Sequence, residues 1–176
     1  MYKRQIRNAW KIPELRKKIL FTVFALLIFR LGSVVPVPFI DSDMLGATLN
    51  NMGGIFTLLG AMNGTAFSMA AVFALGVQPY INSSIIIQLL TVAIPALERL
   101  QKEGGEEGRK KIAAITRYTT VGIALLQGFG YYTLIQANGL LDLGDMNGVW
   151  AGVVIVASFV AGSAFIMWLG EQITEF

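Results

Sequence analysis

Residues 44–97 read MLGATLNNMGGIFTLLGAMNGTAFSMAAVFALGVQPYINSSIIIQLLTVAIPAL, and this stretch decides the fold. It contains no Asp, Glu, Lys or Arg, although Asp43 stands directly before it and Glu98 directly after it. As one continuous helix it would be about 80 Å long, enough for two crossings of a bilayer core of about 30 Å. The fold therefore depends on whether this stretch crosses a membrane once or twice.

The composition of the whole chain is that of an integral membrane protein. Hydrophobic residues make up 55% of the 176 residues and charged residues only 14%, and the mean hydropathy is +0.61. Soluble domains carry about 25% charged residues, so this chain has too few charges to give a compact globule a hydrated surface. Cysteine and histidine are absent, which excludes disulfides, thiolate chemistry, histidine-based catalysis and the usual zinc sites. We expect no enzyme activity, catalytic residue, metal or cofactor.

Three further apolar runs are long enough for one crossing each, at residues 19–36, 112–136 and 148–170. Apart from Arg117, which closes the second basic block described below, the one charged side chain within them is Arg30, near the end of the first run. Long basic side chains in such a position usually reach the membrane interface, so we expect a structural role for Arg30.

The positions of the basic residues decide the number of crossings. They form two blocks, one before residue 19 and one at 98–117, with Arg30 alone outside them. Lys and Arg in short loops stay in the cytoplasm, and only a single crossing by residues 44–97 puts both blocks on that side. We therefore predict an all-α, polytopic membrane protein of one domain, with four transmembrane helices and a cytoplasmic N-terminus. The second span is placed at 71–94 and a cytoplasmic loop at 95–111.

A single crossing leaves residues 53–69 apolar, uncharged and outside any span. Gly53-Gly54, Gly60 and Asn63-Gly64 interrupt a continuous helix there. Irregular backbone is tolerated at membrane depth only where protein or a water-filled cavity surrounds it. We predict a short re-entrant helix in the mouth of a cavity; a helix lying on the outer membrane surface is the alternative, and periodicity does not distinguish them.

Polar but uncharged side chains concentrate in the predicted second span. Four positions three or four residues apart should share one helix face, where they either join helices or line a path for a substrate: Asn82, Ser84-Ile85, Gln88 and Thr91. Pro79 should bend this helix, because proline removes a backbone hydrogen bond and collides with the preceding turn. In the loop at 102–111, glycines should break any helix, and the mixed charges without aromatics argue against nucleic-acid recognition.

Several strings along the chain resemble the SecY family, the pore subunits of the protein-conducting channel. FRLGS at 29–33, followed by PVP at 36–38, resembles the end of that family's first span, and FALGVQPYI at 73–81 running into SIIIQLL at 84–90 resembles its second. KEG at 102–104 and GR at 108–109 resemble the next cytoplasmic loop, TRY at 116–118 the start of the third span, and WLGEQITE at 168–175 the end of the fourth. Serine stands at position 83, where alanine is usual.

The resemblance implies ten spans around an hourglass pore that is sealed by a ring of apolar side chains and by an external plug helix. Val77 and Ile81 are then implied as ring residues. The resemblance also implies a lateral gate, through which signal sequences meet lipid, with Asn82, Ile85 and Gln88 as its residues. The implied plug residues are Gly54, Ile55, Phe56, Leu58, Leu59, Met62 and Phe67.

The implied partners are the SecE and SecG subunits, the SecA ATPase or a ribosome on the cytoplasmic face, signal peptides, nascent secretory chains and membrane lipid. The implied location is the prokaryotic inner membrane. Because four of ten spans are present, we expect the chain to be the N-terminal part of a longer protein that does not conduct alone. A small carrier or ion channel, which would need buried charges, and a membrane scaffold without a pore are the alternatives.

Overall fold

The computed structural model describes residues 13–54, 58, 60–62, 64–142, 144 and 147–175. The basic residues up to Lys11 and the predicted plug residues Ile55, Phe56 and Leu59 therefore lie outside the described residues. The helices are α1 (Pro13–Gly32), α2 (Ser42–Met52), α3 (Thr65–Ser68), α4 (Gln78–Ala93), α5 (Pro95–Lys102), α6 (Gly105–Ala137) and α7 (Gly148–Glu175). No strand occurs among these residues, which confirms the all-α prediction.

One helix of the described chain is both long and apolar enough to cross a membrane, namely α7 over Gly148–Thr174. Helices α4 and α5 taken together are also long and apolar enough for one crossing, but their axes differ by 101° at the break between them. Helix α1 carries Arg16, Lys17, Lys18 and Arg30 within its 20 residues. The fold is thus helical with a clear apolar span, and the count of four crossings stays a prediction.

The long helix α6 lies at the centre of the bundle, because it packs along both α4 and α7, while α1 packs against α7. The helix bounds differ from the predicted spans mainly at their beginnings. Residues 71–77, predicted as the start of the second span, form a bridge and turns, and α4 begins only at Gln78. Helix α2 was not predicted; Asp41 caps it by accepting a hydrogen bond from the Met44 backbone N–H at 3.0 Å.

The prediction that Pro79 bends its helix is wrong. Pro79 lies in the first turn of α4, where a backbone N–H has no partner within the helix, so proline costs nothing there. The bend lies instead at Ile94, which is extended and precedes Pro95. A residue before proline avoids helical backbone, and α5 therefore leaves α4 at a steep angle.

The prediction that glycines break the helix at 102–111 is correct at Gly104-Gly105, where the backbone turns after α5 ends at Lys102, but it is wrong at Gly108. Helix α6 begins at Gly105 and continues through Gly108. A Cβ on Gly108 would lie 1.9 Å from the Leu100 carbonyl oxygen, so the glycine lets α5 and α6 touch through their backbones. On α5, Glu98 accepts a hydrogen bond from Lys102 at 2.6 Å, and this bond and the carboxylate charge raise the pKa of Lys102.

The hydrophobic core lies at the end of the bundle where α6 ends and α7 begins. Tyr131 connects its layers, since its ring stacks on Phe67 with centroids 4.9 Å apart and meets Phe159 at 5.2 Å. The buried members are Val37, Leu45, Leu49, Phe67, Ala70, Ala74, Leu75, Tyr131, Ile135, Leu140, Ile155 and Phe159.

Backbone hydrogen bonds tie the segment after α1 to two others. Val37 N–H donates to the Ala70 carbonyl and Val72 N–H to the Val35 carbonyl, both at 3.0 Å. Asp41 N–H donates to Leu140 at 3.1 Å, and Asp142 N–H to Phe39 at 3.1 Å. These bonds fix the entry to α4 and the exit from α6 beside the end of α1.

Gly162 on α7 provides a test of this packing. A Cβ there would lie 2.1 Å from the Val72 carbonyl oxygen, whereas one on Gly170 of the same helix would meet nothing within 4 Å. We expect Gly162→Ala to destabilise the fold by about 1–3 kcal/mol through overpacking, and Gly170→Ala to leave it unchanged or slightly more stable. Melting temperatures in detergent micelles measure both; equal melting of the two variants would contradict the close approach.

Candidate functional site

A cavity of about 510 Å³ lies where the end of α1, the segment before α3 and the start of α4 meet. We call it the α1–α4 cavity. It brings together three parts of the chain that are far apart in sequence. Its described lining residues are Phe29, Arg30, Ser33, Ala61, Met62, Gly64, Thr65, Ala66, Phe73, Gly76, Val77, Gln78 and Ile81.

Val77 and Ile81, the predicted ring residues, both line this cavity. They are four residues apart at the start of α4 and so share a helix face. Their side chains are 41% and 46% exposed, although neighbouring residues 73–76 are buried. Gly76, with φ of 55°, makes the turn that directs the chain from the core into α4.

The predicted plug residues within the described chain separate into three groups. Met62 lines the cavity and is 64% exposed, and its neighbours Ala61 and Gly64 line it as well. Leu58 is exposed and Gly54 forms a turn with positive φ, and neither lines the cavity. Phe67 lies in the core instead, and its carbonyl accepts a hydrogen bond from the buried Tyr131 hydroxyl. Residues 61, 62 and 64–66 therefore face the cavity, while Phe67 anchors their C-terminal end.

The expected polar face of α4 is only partly present. Asn82 is half-buried, Ile85 and Gln88 are exposed, and Gln88 Nε2 donates to Ser84 Oγ at 3.3 Å. Thr91 is buried on another face of the helix. A helix turns by about 100° per residue, so the nine steps from Asn82 to Thr91 make about two and a half turns. Thr91 therefore lies on the face opposite Asn82.

The α4–α6 contact has a buried polar seam that the sequence analysis did not find. Ser83 is fully buried, and its hydroxyl donates to the Thr116 carbonyl at 2.8 Å. Thr120 donates to the same carbonyl at 2.7 Å. Serine at position 83 was noted only as an unusual residue, because helical spacing alone does not reveal which helix lies opposite.

Arg30 lies in the last turn of α1 and is exposed, with the cavity beside it. The other described lining residues are uncharged; Ser33, Thr65 and Gln78 are the polar ones. No group of three or more Asp or Glu side chains that could hold a metal ion occurs within the described part of the chain. The arrangement thus offers apolar surface, neutral hydrogen-bonding groups and one guanidinium.

Comparison with known proteins gives consistent matches. The sequence profile of the SecY family matches residues 71–176. "Protein translocase subunit SecY" of Buchnera aphidicola subsp. Acyrthosiphon kondoi is 44% identical over 171 residues, 93% of this chain and 46% of that protein. The proteins of the same name from Escherichia coli K12 and Streptomyces coelicolor are 44% and 41% identical, with 37% and 40% of their lengths covered. The chain thus spans less than half the length of these curated relatives.

Tyr131→Phe tests whether the hydroxyl anchors the cavity-facing segment. The change removes one of the donors to the Phe67 carbonyl, which still accepts a hydrogen bond from the Ala70 N–H at 3.2 Å, and we expect a loss of about 0.5–1.5 kcal/mol in the free energy of unfolding. Tyr118→Phe, on an exposed part of α6, is the control and should have no effect. Thermal unfolding in micelles compares the two. Indistinguishable melting of both variants would show that Phe67 is held by packing alone.

Proposed function

The chain belongs to the SecY family, and we propose that its helices form part of a membrane channel that conducts secretory polypeptides. Val77 and Ile81 would contribute to an apolar ring around the passing chain. Residues 61, 62 and 64–66 would belong to a plug that blocks this ring from the outer side. The name of the relatives, protein translocase subunit SecY, supports this function.

The observation that carries the proposal is the α1–α4 cavity itself. It puts two exposed apolar side chains of α4 opposite a glycine-containing segment that carries no charge. A hydrophobic constriction resists the passage of ions by dewetting. Apolar side chains also offer no specific hydrogen bonds, so a polypeptide of any sequence can slide past them.

We further propose four crossings, by α1, α4, α6 and α7, with the N-terminus and α5 on the cytoplasmic side of a prokaryotic inner membrane. The distribution of basic residues supports this orientation, because the beginnings of α1 and α6 and all of α5 carry Lys and Arg. The angle of 101° between α4 and α5 is consistent with α5 lying along the membrane surface.

Helix α4 would also form one side of a lateral gate with Asn82, Ile85 and Gln88. Its exposed apolar side chains support this, since Ile85, Leu89 and Val92 are 51%, 65% and 82% exposed. The other side of the gate would come from further helices of the channel. The partners of the channel would be SecE, SecG, SecA or a ribosome, signal peptides and nascent chains. Membrane lipid would be reached through the gate.

Photo-crosslinking tests the channel function. A photoreactive amino acid is placed at Val77 or Ile81 of the complete channel with its partner subunits, and a secretory chain is stalled during translocation. We expect crosslinks to the stalled chain from both positions, because both line the cavity. Leu126, which is 72% exposed on α6 and does not line it, is the control position and should crosslink only to lipid.

Labelling of lipid alone from positions 77 and 81 would contradict the channel. It would favour a membrane scaffold without a pore.

A further inference from the structure

We infer that Arg30 gives the channel a charge preference, so that acidic segments of a polypeptide pass the α1–α4 cavity faster than basic segments. The inference rests on the proposed function and names a residue that selects among its substrates. It also departs from the purely structural role that the sequence suggested for Arg30.

The end of α1 is held firmly against the start of the cavity. The Phe29 ring stacks on Phe73 with centroids 6.0 Å apart, and the Ser33 hydroxyl donates to the Phe29 carbonyl at 2.7 Å. Gly32 lies so close to the Phe73 ring that a Cβ would approach it to 2.1 Å. Arg30 therefore extends from a fixed backbone, and its side chain lies in the cavity wall with Val77 and Gln78.

Among the described residues of the cavity wall, Arg30 has no counter-charge. No Asp or Glu is among the described lining residues, and the sequence has none between Asp43 and Glu98. The two ion pairs of the described chain, Lys102–Glu98 and Arg117–Glu171, do not include Arg30. Its positive charge is therefore free to act on a passing chain.

The walls around Arg30 strengthen its effect. Phe29, Phe73, Met62 and Val77 line the same cavity, and apolar, low-dielectric walls focus the field of a charge. A cation within a few ångströms of a guanidinium in such surroundings is repelled, and an anion is attracted. The interaction is large enough to change a passage rate by roughly tenfold.

Translocation of two matched substrates tests the inference. The substrates are secretory proteins that differ only in one short block of the mature sequence, which consists of lysines in one and glutamates in the other. The complete channel with its partner subunits is reconstituted in vesicles, and an ionophore collapses the membrane potential. The measured quantity is the ratio of the two translocation rates, glutamate block over lysine block.

In Arg30→Gln we expect this ratio to fall by about three- to tenfold. Arg30→Lys keeps the charge and should keep the ratio, and Arg99→Gln removes an exposed arginine outside the cavity and should also keep it. Raising the ionic strength should reduce the ratio in the unsubstituted channel, because salt screens an exposed charge. A side chain that only anchors α1 at the lipid headgroups would slow both substrates equally.

An unchanged ratio in Arg30→Gln, with both substrates still translocated, overturns the inference and leaves the proposed function intact. An equal fall in Arg30→Lys also overturns it, because shape rather than charge would then matter. If the unsubstituted channel translocates neither substrate, the proposed function fails and the charge preference with it.

Discussion

Backbone hydrogen bonding is the constraint on which the arrangement depends. Residues 44–97 contain no charged side chain that would favour exposure of an irregular segment to water. Backbone N–H and C=O groups that are buried in protein or lipid need hydrogen-bond partners. The bonds of Val37 N–H to Ala70 and of Val72 N–H to Val35 satisfy this need at the return point of the segment. They place the entry to α4 beside the exit of α1, and the α1–α4 cavity lies between these two ends.

Helix α6 gives this junction a rigid support. At one end Tyr131 binds the Phe67 carbonyl and packs between Phe67 and Phe159, so α3 cannot shift without disturbing the core. Toward the other end the Ser83 hydroxyl joins α4 to α6 at Thr116. The cavity wall formed by Val77 and Ile81 is thus connected to the same helix as the segment opposite it. In the proposed channel the moving element would be the exposed, cavity-facing residues 61, 62, 64 and 65, rather than α4.

Much of this could be predicted from sequence because charge and hydropathy act over whole segments. The absence of charge in residues 44–97 and the two basic blocks predicted a helical membrane protein, and the helical fold is confirmed, whereas the four crossings and the re-entrant segment stay predictions. Details set by neighbouring helices could not be predicted. Pro79 and Pro95 have the same local chemistry, yet only tertiary structure determines that α4 begins at one and ends before the other. Phe67 has the apolar character of a plug residue, but Tyr131, 64 residues away, holds it in the core.

The central claim is that the segment before α3 faces α4 within the protein instead of lying on the membrane surface. The chain lacks cysteine, so replacing Met62 and Ile81 by cysteine gives it two thiols and no others. The double variant is treated in membranes with a short bifunctional maleimide. The account predicts an intramolecular crosslink, because both residues line one cavity, and none between positions 62 and 126. Failure of the first pair to crosslink, while a membrane-impermeant maleimide labels position 62 completely from outside, would place the segment on the surface and contradict the account.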